Sequence, residues 1–302
     1  MGIIQCIGNT PIASIDSINP NPKVKLFAKL EGNNPGGSIK DRIALYMIEA
    51  AEGEGKLTKD KIILEATSGN TGIGLAMVAS AKKYRVKLTM PACVSIERRR
   101  TLEAFGAELI ISPSDEGTDG AIRLAQKILS DEPDKYFMPN QFDNEANISA
   151  HYETTGKEII EQTNGSITHF VAGMGTTGTL MGAGKKLKEF NKDIKIIGVE
   201  PTVGHRIQGL KNMSECIFPR IFNPKNLDER YLVNDEEAFD TTRMLAVKEG
   251  IFVGMSSGAA MHIALRKSSE LKEGVIVVIL PDRGDRYLST SLFTSICSKC
   301  PP

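Results

Sequence analysis

The chain has 302 residues, enough for one large or two medium domains that each bury a core of their own. Hydrophobic residues make up 41% and charged residues 25%, with a formal net charge of zero, which argues against nucleic acid or an anionic membrane as the main partner. No apolar run approaches the roughly 20 residues that span a bilayer, and residues 1–11 lack the basic and apolar regions of a secretory leader, so a cytoplasmic chain is expected.

From about Lys23 onward, short β-branched runs alternate with longer helical patterns, the sequence form of an α/β protein with mostly parallel strands. Strands are expected over 24–30, 61–65, 86–90, 108–111, 168–172, 194–199 and 274–280. Several of these are apolar almost throughout, as strands covered on both faces should be. Helices are expected over 40–52, 71–83, 96–104, 119–129, 148–162, 179–190, 236–248 and 259–271, which completes a doubly wound pattern. The stretch 202–227 has little periodicity and is expected to be an irregular cover or surface excursion. Five cysteines, Cys6, Cys93, Cys216, Cys297 and Cys300, are odd in number and scattered, which favours reduced thiols. Cys297 and Cys300 form a CxxC pair with no second pair or nearby His, so no metal centre is expected and an exposed tail is the plainer reading.

Three turns rich in Gly, Ser and Thr lie between a strand and a helix. The first, Thr67-Ser68-Gly69-Asn70-Thr71, offers hydroxyls, an amide and helix N–H groups, as a carboxylate or phosphate cradle would. A well-capped helix explains the same residues equally well. The second, Gly173-Met174-Gly175-Thr176-Thr177-Gly178-Thr179, satisfies the G-x-G-x-x-G pattern of a dinucleotide site, with Glu200 after the next strand at about the distance of a ribose partner. Its three threonines suit the terminal oxygens of a phosphate monoester instead. The third, Gly254-Met255-Ser256-Ser257-Gly258, reads as a helix start.

A lysine separates nicotinamide from pyridoxal chemistry, because pyridoxal phosphate is held as a Schiff base on an unprotonated amine. Lys40 stands in the first turn of a helix after Asn34-Pro35-Gly36-Gly37-Ser38, where partial desolvation near helix N-termini disfavours the charged form. By position alone an ordinary solvated lysine accounts for it as well.

Taken together, the Lys40 segment, the Thr67 loop and the three-threonine turn make the chain resemble the O-acetylserine sulfhydrylase (cysteine synthase) family of pyridoxal-phosphate enzymes. The likeness runs in the family's order from Ile7-Gly8-Asn9-Thr10-Pro11 to Asp285-Arg286-Tyr287-Leu288-Ser289-Thr290. It implies the fold-type II architecture, similar to the tryptophan synthase β chain, with two open parallel-sheet domains. Residues 1–36 and 143–302 would form the larger, cofactor-binding domain, and 37–142 a smaller mobile one. It implies that Lys40 carries pyridoxal 5′-phosphate as an internal aldimine and later moves the α-proton. Thr67, Ser68, Gly69, Asn70 and Thr71 would grip the substrate carboxylate together with Gln141, and Asn70 would also stand beside the ring hydroxyl. Gly175, Thr176, Thr177, Gly178 and Thr179 resemble the phosphate cup, and Ser256 the hydroxyl partner of the pyridine nitrogen, with Asp282 the nearest competitor for that place.

The activity so implied is cysteine synthase: β-replacement on O-acetyl-L-serine or O-phosphoserine by sulfide or a related sulfur donor, through an aminoacrylate. The segment Ser95-Ile96-Glu97-Arg98-Arg99 and the doubled threonine resemble the B-type enzyme, whereas Pro281 and His205-Arg206-Ile207-Gln208-Gly209 depart from it. Arg98, Arg99, Arg100 and Arg206 are candidate binders of an anionic substrate, or simply a solvated basic face. The resemblance also implies a homodimer, with serine acetyltransferase or a sulfur-carrier protein as candidate partners. A serine/threonine dehydratase and a cystathionine β-synthase-like lyase share the fold and stay as alternatives. A NAD-dependent oxidoreductase, on the Gly173 turn and Glu200, is the remote one.

Overall fold

A computed structural model of the chain describes residues 2–67, 69–92, 94 and 96–293. In chain order it begins with β1 (Ile12–Ser14), β2 (Val24–Leu30), α1 (Lys40–Gly53), β3 (Ile62–Ala66) and α2 (Asn70–Lys82). Next come β4 (Arg85–Pro91), α3 (Ile96–Ala104), β5 (Glu108–Ser112), α4 (Gly117–Asp131) and β6 (Tyr136–Phe137). A helical stretch follows in three pieces: α5 (Glu145–Ala150), a π-helical turn (His151–Thr155) and α6 (Gly156–Gln162). The chain continues through β7 (His169–Gly173), α7 (Gly178–Phe190), β8 (Lys195–Pro201) and β9 (Glu229–Val233). It closes with α8 (Asp235–Glu249), α9 (Met255–Glu270) and β10 (Gly274–Leu280).

Two compact units divide these elements: residues 1–7 with 34–147, and residues 8–33 with 148–302. The smaller unit is built on a four-stranded, wholly parallel sheet of order β5-β4-β3-β6. All five residues of β3 are buried, because α4 covers one side through Ala121 and Ala125 against Ile62, Leu64 and Ala66. The larger unit holds a six-stranded sheet of order β1-β2-β10-β7-β8-β9, parallel except for the β1 edge. Its central strand, Gly274-Val-Ile-Val-Val-Ile-Leu280, is buried along all but its first residue, between β2 and β7 and under α9. Each Val or Ile sealed there is worth about 1.5–3 kcal/mol relative to exposure, which makes this strand the main anchor of the unit.

Helix ends follow local chemistry. Asn234 and Glu237 close a reciprocal capping box on α8, with N–H to side-chain distances of 2.9 and 3.0 Å, and Gly250 ends the helix at φ 70°. Strands 24–30 and 274–280 and helix 96–104 have the limits their patterns predict, and the other expected elements shift by one to a few residues. The expected irregular stretch 202–227 holds one 3₁₀ turn, Pro224–Asn226. The expected single helix 148–162 is instead broken by the π-helical turn, and β1, β6 and β9 are additional. Among the described residues no helix is long and apolar enough to cross a membrane. The CxxC pair, Cys93 and Ser68 lie outside the described residues.

Candidate active site

In both sheets the candidate residues gather at the carboxyl ends of the parallel strands, beside the point where strand order reverses. That is where open α/β sheets leave a crevice. In the smaller unit the reversal lies between β3 and β6. From β3 the chain goes to β4 and β5 on one side and returns to β6 on the other. The Thr67 loop follows β3 and Gln141 follows β6, so the two are neighbours. Thr71 Oγ1 donates to Gln141 Oε1 at 2.6 Å, and both residues are buried. Thr67 Oγ1 accepts the N–H groups of Gly69 and Gly72, each at 3.2 Å, so this hydroxyl shapes the loop from within. Asn70 is the first residue of α2, whose N-cap Gly69 has no side chain to offer, and Thr67 Oγ1 takes the Gly72 N–H in its place. The buried Arg98 of α3 lies against Gly69 from behind: a Cβ built on that glycine would stand 2.7 Å from Arg98 Nη1.

Lys40 opens α1 and is half-buried, with its backbone N–H on Ser38 Oγ at 3.2 Å. The loop before it is fixed by Asp41, fully buried, whose Oδ2 accepts the Gly36 N–H at 2.6 Å. The first turn of α1 packs on α2 at Gly74, where a Cβ would fall 2.9 Å from the Lys40 carbonyl oxygen. The lysine is therefore seated next to the helix whose N-terminus carries Asn70 and Thr71.

In the larger unit the reversal lies between β7 and β10. The turn Gly173 to Thr179 follows β7, and Thr176, Thr177 and Thr179 are buried. Thr177 adopts φ 68° and leads into α7 without a side-chain cap, so that the helix N–H groups open on the turn. Gly175 must be glycine, since a Cβ there would stand 2.6 Å from the Gly209 carbonyl oxygen. The same Gly209, at φ 93°, faces Ser256, with a built Cβ 3.6 Å from Ser256 Oγ. Segment 205–211 thus lies between the threonine turn and Ser256, the second residue of α9, and Lys211 N–H donates to Met174 O at 2.8 Å. Asp282, just past β10, accepts the Tyr287 hydroxyl at 2.5 Å and is buried.

Buried hydroxyls, uncapped helix N–H groups and a glycine that keeps side chains out fit a phosphate monoester, and the turn contains no acidic side chain to repel one. The dinucleotide reading fares worse. Both oxygens of Glu200 are taken within the chain, Oε1 by Arg230 Nε at 2.6 Å and Oε2 by the Met213 N–H at 3.1 Å. Arg206 is exposed and paired with Asp235 at 2.9 Å, Arg100 is exposed, and Arg99 donates to the Ala92 carbonyl.

Two residues enter the site that sequence patterns did not single out. His151, buried in the π-helical turn, bonds Thr155 Oγ1 through Nδ1 at 3.0 Å and Thr179 Oγ1 through Nε2 at 3.2 Å. Its signal was hidden inside a stretch read as one helix. Glu65 occupies the carboxyl end of β3, and backbone N–H groups of Asn140, Gln141 and Ala66 are directed at it. Burial nonetheless pushes its carboxyl up to about 8 from 4.5. A lone carboxylate in the run Ile62-Ile63-Leu64-Glu65-Ala66 was the signal that could have found it.

Comparison with known proteins gives this arrangement a family. The model of the pyridoxal-phosphate dependent enzymes matches residues 3–282. The cysteine synthase of Aquifex aeolicus is 46% identical over 300 residues, covering 97% of this chain and 92% of that protein. Cysteine synthase B of Escherichia coli is 46% identical over 289 residues, covering 96% and 95%. The crystal structure of cysteine synthase from Entamoeba histolytica superposes with a TM-score of 0.92 at 37% identity, covering 97% of this chain and 90% of that one. The chain belongs to the pyridoxal-phosphate dependent enzymes and, within them, to the cysteine synthases.

Proposed function

We propose that this chain makes L-cysteine from an activated L-serine by exchanging the β-substituent for sulfur, with O-acetyl-L-serine as donor and sulfide as acceptor. The observation that carries this reading is the seat of Lys40: a lysine in the first turn of α1, packed on the helix that begins Asn70-Thr71. Lys40 Nζ, the turn from Gly175 to Thr179, Asn70 and Ser256 are the groups that would hold pyridoxal 5′-phosphate. Bound there, the cofactor supplies an electron-withdrawing ring that acidifies the hydrogen on the α-carbon of an attached amino acid.

The chain's own residues do the rest. The Thr67–Thr71 loop and Gln141 bind the α-carboxylate through hydroxyl, amide and helix N–H groups. Lys40 Nζ removes the proton from Cα and returns it after replacement. The Cβ–O bond breaks with loss of acetate, and HS⁻ forms the new C–S bond at the same carbon. Exclusion of water by the carboxylate loop keeps the β-carbon for sulfur. Ser256 offers the ring nitrogen a hydroxyl, which favours loss of the β-group over longer-lived carbanion chemistry. A phosphoserine donor would call for a dedicated cation, and Arg206 is already paired with Asp235. B-type behaviour is supported by the likeness to the E. coli B enzyme. A cytoplasmic location, a homodimer and docking of serine acetyltransferase or a sulfur-carrier protein complete the reading on family likeness alone.

Offering O-acetylserine, O-phosphoserine, serine and threonine separately to the purified holoenzyme with sulfide tests this. Cysteine is expected from O-acetylserine first, and Lys40→Ala should abolish it. Pyruvate or 2-oxobutyrate from serine or threonine without sulfide would make the chain a dehydratase instead.

A further inference from the structure

We infer that Tyr287 and Asp282 are positioning residues for the nitrogen end of the cofactor ring: their hydrogen bond closes a clamp on Gly254, which fixes where α9 begins and so where the Ser256 hydroxyl stands. The inference deepens the proposed function and rests on it for the role of Ser256. Every residue in it belongs to the larger unit.

Ser256 is the second residue of α9, and its place is set by how that helix starts. Gly254 stands just before the helix, and its carbonyl accepts the first N–H groups, from Ser257 at 3.1 Å and from Gly258 at 3.4 Å. A shift of Gly254 therefore moves the whole first turn. The glycine is extended, at φ −84°, so its backbone would admit any residue, and space is what excludes a side chain. A Cβ built on it would stand 2.4 Å from Asp282 Oδ1 and 2.4 Å from Tyr287 Cε2. Those two side chains close on the glycine together, since the Tyr287 hydroxyl donates to Asp282 Oδ2 at 2.5 Å.

Backbone contacts hold the frame of the clamp. Val253 and Arg283 form an antiparallel bridge, and the Gly284 N–H donates to the Phe252 carbonyl at 3.2 Å. Gly254 N–H reaches the Asp282 carbonyl only at 3.4 Å, so the bridge is loosest at the residue that the side-chain pair grips. Tyr287 is itself anchored, its carbonyl accepting the Thr290 N–H at 2.9 Å and Oγ1 at 2.6 Å.

Filling space does not call for this pair. Asp282 and Tyr287 are 1% and 0% exposed, and burying a carboxyl and a hydroxyl costs more than burying apolar groups of the same volume. What the hydrogen bond adds is a preferred distance and direction between the two walls of the clamp. A hydroxyl that must meet one ring atom depends on that constancy more than a packing side chain does.

The holoenzyme reports the clamp through the position of the cofactor's visible absorption band and through the cofactor dissociation constant, read by equilibrium dialysis. Tyr287→Phe keeps the ring and removes only the hydroxyl. It should shift the band in the same direction as Ser256→Ala and weaken cofactor binding about fivefold, as expected for one lost hydrogen bond. Hydrogen–deuterium exchange in the peptide spanning 252–258 should quicken by about the same factor or more. The double variant Tyr287→Phe/Ser256→Ala should bind cofactor within about twofold of Ser256→Ala alone, because the clamp acts through that hydroxyl. Asp282→Asn keeps an oxygen for the tyrosine and should stay within about twofold of the wild type, and it serves should Tyr287→Phe fail to fold. Losses that multiply in the double variant would overturn the inference, as would an Asp282→Asn holoenzyme that loses affinity as Ser256→Ala does. If Ser256→Ala itself changed neither band nor affinity, the assigned role of Ser256 would fall and take the inference with it. A change there with none in Tyr287→Phe would strike the clamp alone.

Discussion

Glu65 changes its proton affinity by more than three units on folding, from 4.5 in a solvated chain to about 8 in the strand, so it couples stability to pH in a known direction. Desolvation is the largest cause and outweighs the N–H groups of Asn140, Gln141 and Ala66, which favour the anion. Below pH 4.5 the carboxyl is neutral in both states and its contribution is fully present. As pH rises, the unfolded chain releases the proton first, near 4.5, while the folded chain keeps it to about 8. Stability therefore declines across that window, by an amount on the order of several kcal/mol. Glu65→Gln has no proton to lose. The melting temperature of the wild type should fall more between pH 5 and pH 8.5 than that of Glu65→Gln, by scanning calorimetry under matched conditions. Parallel pH profiles for the two proteins would show that Glu65 is ionised throughout.

At the scale of elements, what the sequence discloses depends on whether a feature repeats. The apolar strands 24–30 and 274–280 are legible because every residue or every second one obeys the same burial rule. The two-residue β6 is not, since Tyr136 and Phe137 become a strand only by pairing with Ile62 and Ile63. β9 fails differently: Glu229-Arg230-Tyr231-Leu232-Val233 buries only its last residue and carries charge like a loop. The π-helical turn leaves no mark on apolar periodicity, although it presents His151 to Thr179. Candidate site residues were legible where glycines and hydroxyls cluster, as at Thr67–Thr71 and Gly175–Thr179. Glu65 stands just before the Thr67 loop, inside an otherwise apolar strand, whereas their partner His151 comes from a distant segment that only the fold brings near. The seat of Lys40 is of this second kind, because it rests on Gly74 of the next helix. Gly74→Ala would set a methyl 2.9 Å from the Lys40 carbonyl oxygen and push the first turn of α1 away. A loss of about 1–3 kcal/mol in urea unfolding is expected, with activity down at least about tenfold. Gly53→Ala, on the same helix α1, meets nothing within 4 Å and should be neutral or stabilising by up to about 1 kcal/mol. Equal effects from the two substitutions would mean that the helix contact does not position the lysine.

On the scale of the whole molecule, each sheet brings its candidate residues to its own carboxyl edge, so each unit must keep that edge rigid by its own means. The smaller unit uses Asp41, Thr67 and the 139–147 amides. The larger unit uses a buried ion pair at the root of its N-terminal segment. Lys29 of β2 is fully buried, and its Nζ donates to Glu158 Oε2 at 2.6 Å, Thr10 O at 2.7 Å and Gln162 Oε1 at 2.8 Å. Glu158 also accepts the Asn9 N–H at 3.0 Å, so one pair joins β2, α6 and the Gly8–Pro11 segment. A buried pair of this kind adds little over a well-packed apolar replacement, yet removing one partner typically costs about 3–5 kcal/mol, because the other charge loses its counterion. Lys29→Met should therefore destabilise the larger unit by that order, read as faster hydrogen exchange in β2 and β10 with β3 unchanged. Lys29→Met/Glu158→Gln should recover part of the loss, since the glutamine oxygen still accepts the Asn9 N–H and no anion remains. If the double variant were no more stable than Lys29→Met, the cost would lie in lost packing around the lysine stem, and the ion pair would not be what fixes the segment.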